Sequence, residues 1–173
     1  MSTIRTGVIV RPVGPEEHER LGDLTVAAYH SIPGEMAHQD AYDLQLRDVA
    51  RRAANSCVLV AVTAGGELLG GVTYVSGPED PYSEELRDGE AGMRMLAVDP
   101  AHHGRGAGRA LVMACIERAR ANRRRRLVLH TTAPMKAAIH IYESIGFRRE
   151  LDLDFTPVPG VDLVGYAMEL GED

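Results

Sequence analysis

The residues best placed to do chemistry lie in one stretch, Met93 to Ala110, which reads MRMLAVDPAHHGRGAGRA. An apolar strand runs into a loop, and Gly104, Gly106 and Gly108 alternate where a helix opens. Glycines there let the backbone approach a ligand closely, while free N–H groups and the helix dipole favour a phosphate or pyrophosphate. Arg105 and Arg109 add fixed positive charge beside it. The competing reading is a glycine-rich turn with no ligand, although three alternating glycines are wasteful for packing alone. Two common phosphate motifs do not fit. A P-loop counted from Gly104 needs glycine where Arg109 stands, and no Lys-Ser/Thr follows. A dinucleotide fingerprint fails at the same residue, and the next strand ends in His130 and Thr131 where it wants an acid.

Such a turn must be held by elements on both sides. Val8 to Val13 reads as an opening strand, and Glu16 to His30 as a helix carrying Leu21, Leu24, Thr25 and Ala28 on one face. A second helix is expected with Tyr42, Leu46, Val49 and Ala53 aligned. Cys57–Thr63 and Leu68–Ser76 form a hairpin around Ala64-Gly65-Gly66-Glu67. A polar loop, Gly77 to Gly89, leads to a strand from Glu90 to Val98. Strand alternation puts Glu90, Gly92, Arg94, Leu96 and Val98 on one face unless a bulge intervenes. The helix opened by the glycines runs to about Asn122, followed by a strand, Arg126–Thr132, and a helix, Pro134–Ile145, that Gly146 caps. Phe147–Asp154 and Val161–Leu170 close the chain as strands. The order β-α-α-β-β-β-α-β-α-β-β predicts a mixed α/β sheet in a single domain, residues 1–173.

Composition narrows the function classes. The 173 residues suffice to bury roughly 70% of the unfolded surface in one core. With 19 Lys+Arg against 25 Asp+Glu the formal charge is −6, which argues against nucleic acid as the main partner. The run Arg118, Arg120, Arg123 to Arg126 sits at a helix end, where cations complement the dipole. No apolar run approaches the ~20 residues of a membrane span, and Met1 to Arg11 has no secretory character. Cys57 and Cys115 read as reduced core residues of a cytoplasmic protein, and no metal set is expected.

The order of elements and two motifs resemble the GNAT superfamily of acyl-CoA-dependent N-acyltransferases. The family's phosphate motif, (Arg/Gln)-x-x-Gly-x-(Gly/Ala), falls on His103-Gly104-Arg105-Gly106-Ala107-Gly108. Ala138-x-x-Ile141-Tyr142-Glu143-x-x-Gly146-Phe147 is similar to its signature A-x-x-L-Y-E-x-x-G-F. His103 stands where the family usually has Arg or Gln, and Met135 where an Asn commonly holds the pantetheine arm. The resemblance implies acetyl-CoA as cosubstrate, in a cleft between the fourth and fifth strands. The backbone of Leu96, Ala97 and Val98 would pair with the pantetheine and thioester, and the amides from Gly104 to Arg109 would wrap the pyrophosphate. Members are often homodimers.

Acetyl transfer to an amine needs a proton acceptor, a donor for the oxyanion and a hydrogen bond to the departing thiolate. The resemblance gives Tyr142 the last role, although Tyr142 also fits the apolar face of its helix. For the base the candidates are Glu90, which is equally readable as an exposed acid at a strand start, and His130, equally readable as a structural strand histidine. The position where an acid is expected in the family is Gly92. Tyr29 and Tyr82, with His30 and Tyr42, are candidates to line the acceptor pocket. The acidic loop Gly77–Glu90 would draw in a cationic amine if it borders the cleft, and is otherwise a solvated loop. These features point to an N-acetyltransferase of a small-molecule primary amine. The alternatives are an acyl-CoA-binding regulatory module and an enzyme acting on protein N-termini or lysines.

Overall fold

A computed structural model of the chain describes residues 7–32 and 40–171. The chain begins with β1 (Val8–Pro12) and α1 (His18–His30), then α2 (Asp40–Arg47) and α3 (Val49–Asn55). β2 (Cys57–Thr63), β3 (Leu68–Val75) and β4 (Glu90–Val98) form a meander, followed by α4 (Ala107–Ala121), β5 (Arg126–Thr131) and α5 (Lys136–Ile145). β6 (Arg148–Arg149), β7 (Phe155–Val158) and β8 (Val161–Glu169) end the chain. The strands make one mixed sheet ordered β1-β2-β3-β4-β5-β8-β6, with β7 also pairing β8. β4 and β5 run parallel, as the α4 crossover between them requires, while the pairs around them are antiparallel.

Each face of the sheet has its own core. α4 presents Leu111, Cys115 and Ile116, all at most 1% exposed, to Leu59, Leu69, Leu127 and Leu129. Each such aliphatic side chain contributes roughly 1.5–3 kcal/mol by leaving water. On the opposite face Leu21, Leu24 and Val49 cover Val58, Val60 and Ala97, and Val26 and Leu46 meet Met95.

Two expected elements are interrupted. The second helix breaks at Asp48, whose backbone leaves the helical region and whose side chain accepts a hydrogen bond from the Arg51 amide. The break starts a fresh helix and still buries both Leu46 and Val49. The expected strand Phe147–Asp154 survives only as Arg148–Arg149 and then coils into a single 3-10 turn, Leu151–Leu153. Leu153 packs over Gly165, and Asp154 accepts hydrogen bonds from the Gly165 amide at 2.9 Å and from Arg149 at 2.6 Å. The chain therefore leaves the sheet there and returns as β7.

Candidate active site

The cleft originates in a register shift. Gly71 pairs with Ala97 and Thr73 with Arg94, so Met95 and Leu96 together oppose Val72. Met95 takes a left-handed φ of 54°, a conformation costing a non-glycine residue roughly 1–2 kcal/mol, and it is held by packing at 5% exposure. The bulge reverses the alternation beyond it. Leu96 and Val98 join Ala91 and Met93 on the α4 face, while Met95 and Ala97 face α1 to α3. The single face expected for Glu90, Gly92, Arg94, Leu96 and Val98 is thus divided. Pairing of β4 with β5 stops at Met93–Leu129. From Arg94 onward the β5-facing edge of β4 has no strand partner among the described residues.

One end of this gap meets the glycine turn. Gly104 and Gly106 have φ of 83° and 81°, which glycine adopts without the steric penalty of a side chain. α4 starts at Ala107, with Gly106 as an N-cap that has no side chain to cap with. The first intrahelical hydrogen bond is Ala110 N–H to the Gly106 carbonyl at 3.0 Å, so the amides of Ala107, Gly108 and Arg109 have no acceptor within the helix. Gly108 has a different purpose: a Cβ there would meet Ile141 Cδ1 at 3.0 Å, so it lets α5 approach. His103 and Arg105 are exposed. Arg105 and His102 both lie against Glu67, at 3.7 and 2.9 Å, and Arg109 donates to Ser144 at 3.2 Å.

The other end is a cavity of about 440 Å³, open to solvent, lined by Tyr29, Tyr42, Glu84, Arg94 and His130 among others. A smaller space of about 190 Å³ beside it shares Glu84, Arg94 and His130 and adds Tyr82. Arg94 Nη2 lies 2.6 Å from one Glu84 oxygen, and His130 Nδ1 lies 3.8 Å from the other. The His130 side chain is 3% exposed, with its Nε2 2.9 Å from the Leu153 carbonyl. A carbonyl only accepts, so Nε2 carries a hydrogen, and Nδ1 is the nitrogen that faces Glu84. Tyr29 and Tyr42 pack edge to face, 6.0 Å between centroids. Burial pushes both hydroxyls above the ordinary phenol range, so they remain protonated donors.

The structure therefore brings Tyr29, Tyr82 and His130 together, along with Glu84 and Arg94, which the sequence reading did not single out. A cation inside the apolar strand Ala91 to Val98 was the available signal for Arg94, since a buried guanidinium requires a partner. Of the acidic loop, Glu84 reaches the cavity; Asp80 instead binds Ser56 and the Tyr82 amide. Glu90 lies elsewhere. It is fully buried at the start of β4, accepting from the Arg87 amide at 2.8 Å and facing Arg126 at 3.5 Å. At Gly92, Leu86 occupies the space an acidic side chain would need, 3.3 Å from a would-be Cβ. Tyr142 is 5% exposed in the core under α4, with Phe147 and Tyr166 as ring neighbours at 5.8 and 6.4 Å. Burial pushes its hydroxyl well above the ordinary phenol range. The arginine run disperses: Arg124 lies against Gly77, Arg125 donates to the Asp88 carbonyl, and Arg126 is buried facing Glu90, Glu150 and Glu169.

Comparison with known proteins bears on the same residues. The sequence pattern described as "Acetyltransferase (GNAT) family" matches residues 21–147. N-acetylaspartate synthetase of Danio rerio is 33% identical over 124 residues, covering 72% of this chain and 40% of that protein. Mycothiol acetyltransferase of Cellulomonas flavigena is 30% identical over 158 residues, covering 88% of this chain and 44% of that one. The chain thus spans about two fifths of the length of these relatives. Among solved structures, an acetyltransferase of the GNAT family from Staphylococcus aureus superposes with a TM-score of 0.74 at 13% identity, over 95% of this chain and 99% of the other. An acetyltransferase from Salmonella typhimurium with its cofactor acetyl-CoA gives 0.67 at 19% identity, over 96% of each.

Proposed function

The chain belongs to the acetyltransferase (GNAT) family, and we propose that it moves an acetyl group from acetyl-CoA directly to the primary amine of a small molecule. The observation that carries this reading is the parting of β4 from β5 after Met93–Leu129, between free helix amides at one end and the Glu84–His130 pair at the other. The relatives named for N-acetylaspartate and mycothiol support a small acceptor. We read the enzyme as cytoplasmic, in keeping with its free cysteines, Cys57 and Cys115.

The residues fit the cosubstrate. The amides of Ala107, Gly108 and Arg109, with the turn from His103 to Gly106, would hold the pyrophosphate, with Arg105 and Arg109 adding charge. The unpaired edge of β4 at Leu96, Ala97 and Val98 would hold the pantetheine arm by backbone hydrogen bonds. When bound, acetyl-CoA supplies an acyl carbon activated as a thioester. As the amine nitrogen bonds that carbon and the C–S bond breaks, His130 Nδ1 takes the amine proton, and Glu84 stabilises the imidazolium that results. A β4 amide near Leu96 serves the oxygen on which charge develops. Tyr142, kept protonated by burial, serves the leaving thiolate. We give the proton-accepting role to His130 rather than Glu90, because Glu90 is fully buried away from the cavity, one oxygen accepting from the Arg87 amide and the other facing Arg126.

The test is thermal unfolding with saturating acetyl-CoA, NADH or ATP, followed by CoA release over an amine panel. At 100 times Kd a ligand stabilises by about 2.7 kcal/mol, which raises the midpoint by roughly 5–10 °C for a chain of this size. A rise with acetyl-CoA alone is expected, together with thiol release when an amine is present. A shift with a nucleotide alone would overturn the reading, and binding without release under any amine would make the chain an acyl-CoA-binding module.

A further inference from the structure

Glu84 and His130 suit an amine, yet the remaining charge of the pocket has the opposite sign. Arg94 is 18% exposed at its side chain. Beyond Glu84 it donates to the Tyr82 carbonyl at 3.3 Å, and the Tyr42 ring lines the same cavity. A guanidinium has five N–H donors, so some remain to be used. Behind this wall Arg52 of α3 is 2% exposed. Its Nη1 donates to the carbonyls of Gln45 and Leu46 at 2.6 and 2.9 Å, while its Nε is buried with no partner. None of the ion pairs among the described residues includes it. Leu46, whose carbonyl it meets, packs with Tyr29, Tyr42 and Met95 of the cavity wall. An arginine cannot shed its proton, so its burial without a counter-charge is unfavourable. Two guanidinium groups against one carboxylate leave the tyrosine-lined space positive, and burial strengthens that field.

We propose that the acceptor is a small zwitterion, a primary amine with a carboxylate one to a few carbons away, whose carboxylate is bound by Arg94 and the Tyr42 hydroxyl in the field of Arg52. This rests on the reading of the cavity as an acetyl-acceptor site. With the pocket empty, Arg94 and Glu84 satisfy one another. A zwitterion exchanges that internal pair for two external ones, its ammonium on Glu84 and its carboxylate on Arg94, and brings that carboxylate into the field of Arg52. The pocket keeps its one excess positive charge, but both groups of the ligand are paired. A plain alkylammonium would draw Glu84 from Arg94 and leave two guanidinium groups without a counter-ion, so the pocket selects against it. The two oxygens of one carboxylate reach both Arg94 and His130, which keeps the ligand's two charged groups close together.

Matched acceptors test this: glycine, β-alanine and γ-aminobutyrate, their primary amides, and the corresponding alkylamines. For the wild type, kcat/KM should favour the free acids by at least about tenfold, the effect of one charged hydrogen-bonded contact. Arg94→Gln should raise KM for the acids at least about tenfold and for the amides by a clearly smaller factor, so that the preference for acid over amide falls. Arg52→Met should shift the acids in the same direction by a smaller factor. Amides or alkylamines used as well as the acids would overturn the proposal, as would Arg94→Gln weakening acids and amides equally. Calorimetric titration of the wild type, saturated with CoA, with N-acetyl-β-alanine and with its amide gives a reading independent of turnover and of any variant's folding. Tighter binding of the acid supports the anion site even if no amine is acetylated, which would remove the enzyme reading alone. Equal or absent binding overturns it.

Discussion

The role proposed for His130 depends on what surrounds it. The Leu153 carbonyl fixes its tautomer from one side and Glu84 faces Nδ1 from the other, and Phe155 stands edge-on at 4.9 Å. His130→Gln can keep the contact to Leu153 but cannot take a proton. We expect kcat to fall at least about 100-fold, the usual range for a lost general base, while the acetyl-CoA thermal shift persists; an unaltered kcat would exclude His130. Tyr142→Phe keeps the ring between Phe147 and Tyr166 and removes a hydroxyl for which no hydrogen-bond partner exists among the described residues. Its unfolding midpoint should stay close to that of the wild type and its turnover should drop at least about tenfold. An undiminished rate would leave Tyr142 as a core residue only.

Elements set where these side chains stand. The bulge at Met95 turns β4 so that Arg94 and Met95 fall on one face in succession, and the 3-10 turn after β6 delivers the Leu153 carbonyl to His130. The turn into α4 depends on Gly106 at a φ of 81°. Gly106→Ala should cost about 1–2 kcal/mol in stability and weaken acetyl-CoA, read as a loss in both the chemical-denaturation midpoint and the ligand-induced thermal shift. The return to β7 depends on Asp154, whose carboxyl is held below the ordinary range by its hydrogen bonds to Arg149. A depressed folded value means that this pair stabilises the fold above the unfolded pKa of 3.8 and loses its effect as pH falls through the lower folded value. Thermal midpoints measured down through that range should therefore decline more steeply for the wild type than for Asp154→Asn. Parallel curves would show that the pair adds nothing.

At the scale of the molecule, Arg126 ties three segments to the sheet. It meets Glu90 from β4, Glu150 after β6 and Glu169 from β8, at 3.5, 2.5 and 3.1 Å. Glu90 is completely buried, so Arg126→Ala strands a carboxylate in the interior. Breaking a buried pair from one side costs about 3–5 kcal/mol, which predicts a fall in the unfolding midpoint of roughly 6–20 °C. A shift of only a degree or two would show that the contact between Arg126 and Glu90 does not hold these segments together. Glu90 resembled an exposed strand-start acid in the sequence because its partner is 36 positions away, as the residue numbers show, and no local pattern records that pairing.

What the sequence alone determined is local or periodic. Helical spacing buried Leu111 and Cys115, turn residues delimited the β2–β3 hairpin, and the glycines after Val98 marked a turn into a helix. These depend on neighbours within a few residues, which is why the element order could be read directly. The two interrupted elements escaped because Asp48 and Asp154 choose backbone hydrogen bonds over helix or strand continuity. Only the tertiary structure decided which charges share the cavity. A single bulge inverts the facing of every later residue in β4, and the β3–β4 pairing that produces it is set by residues across the sheet. Glu84, Arg94 and His130 come from a loop and two strands. They converge because burying one charge requires its partner nearby, wherever in the chain that partner lies.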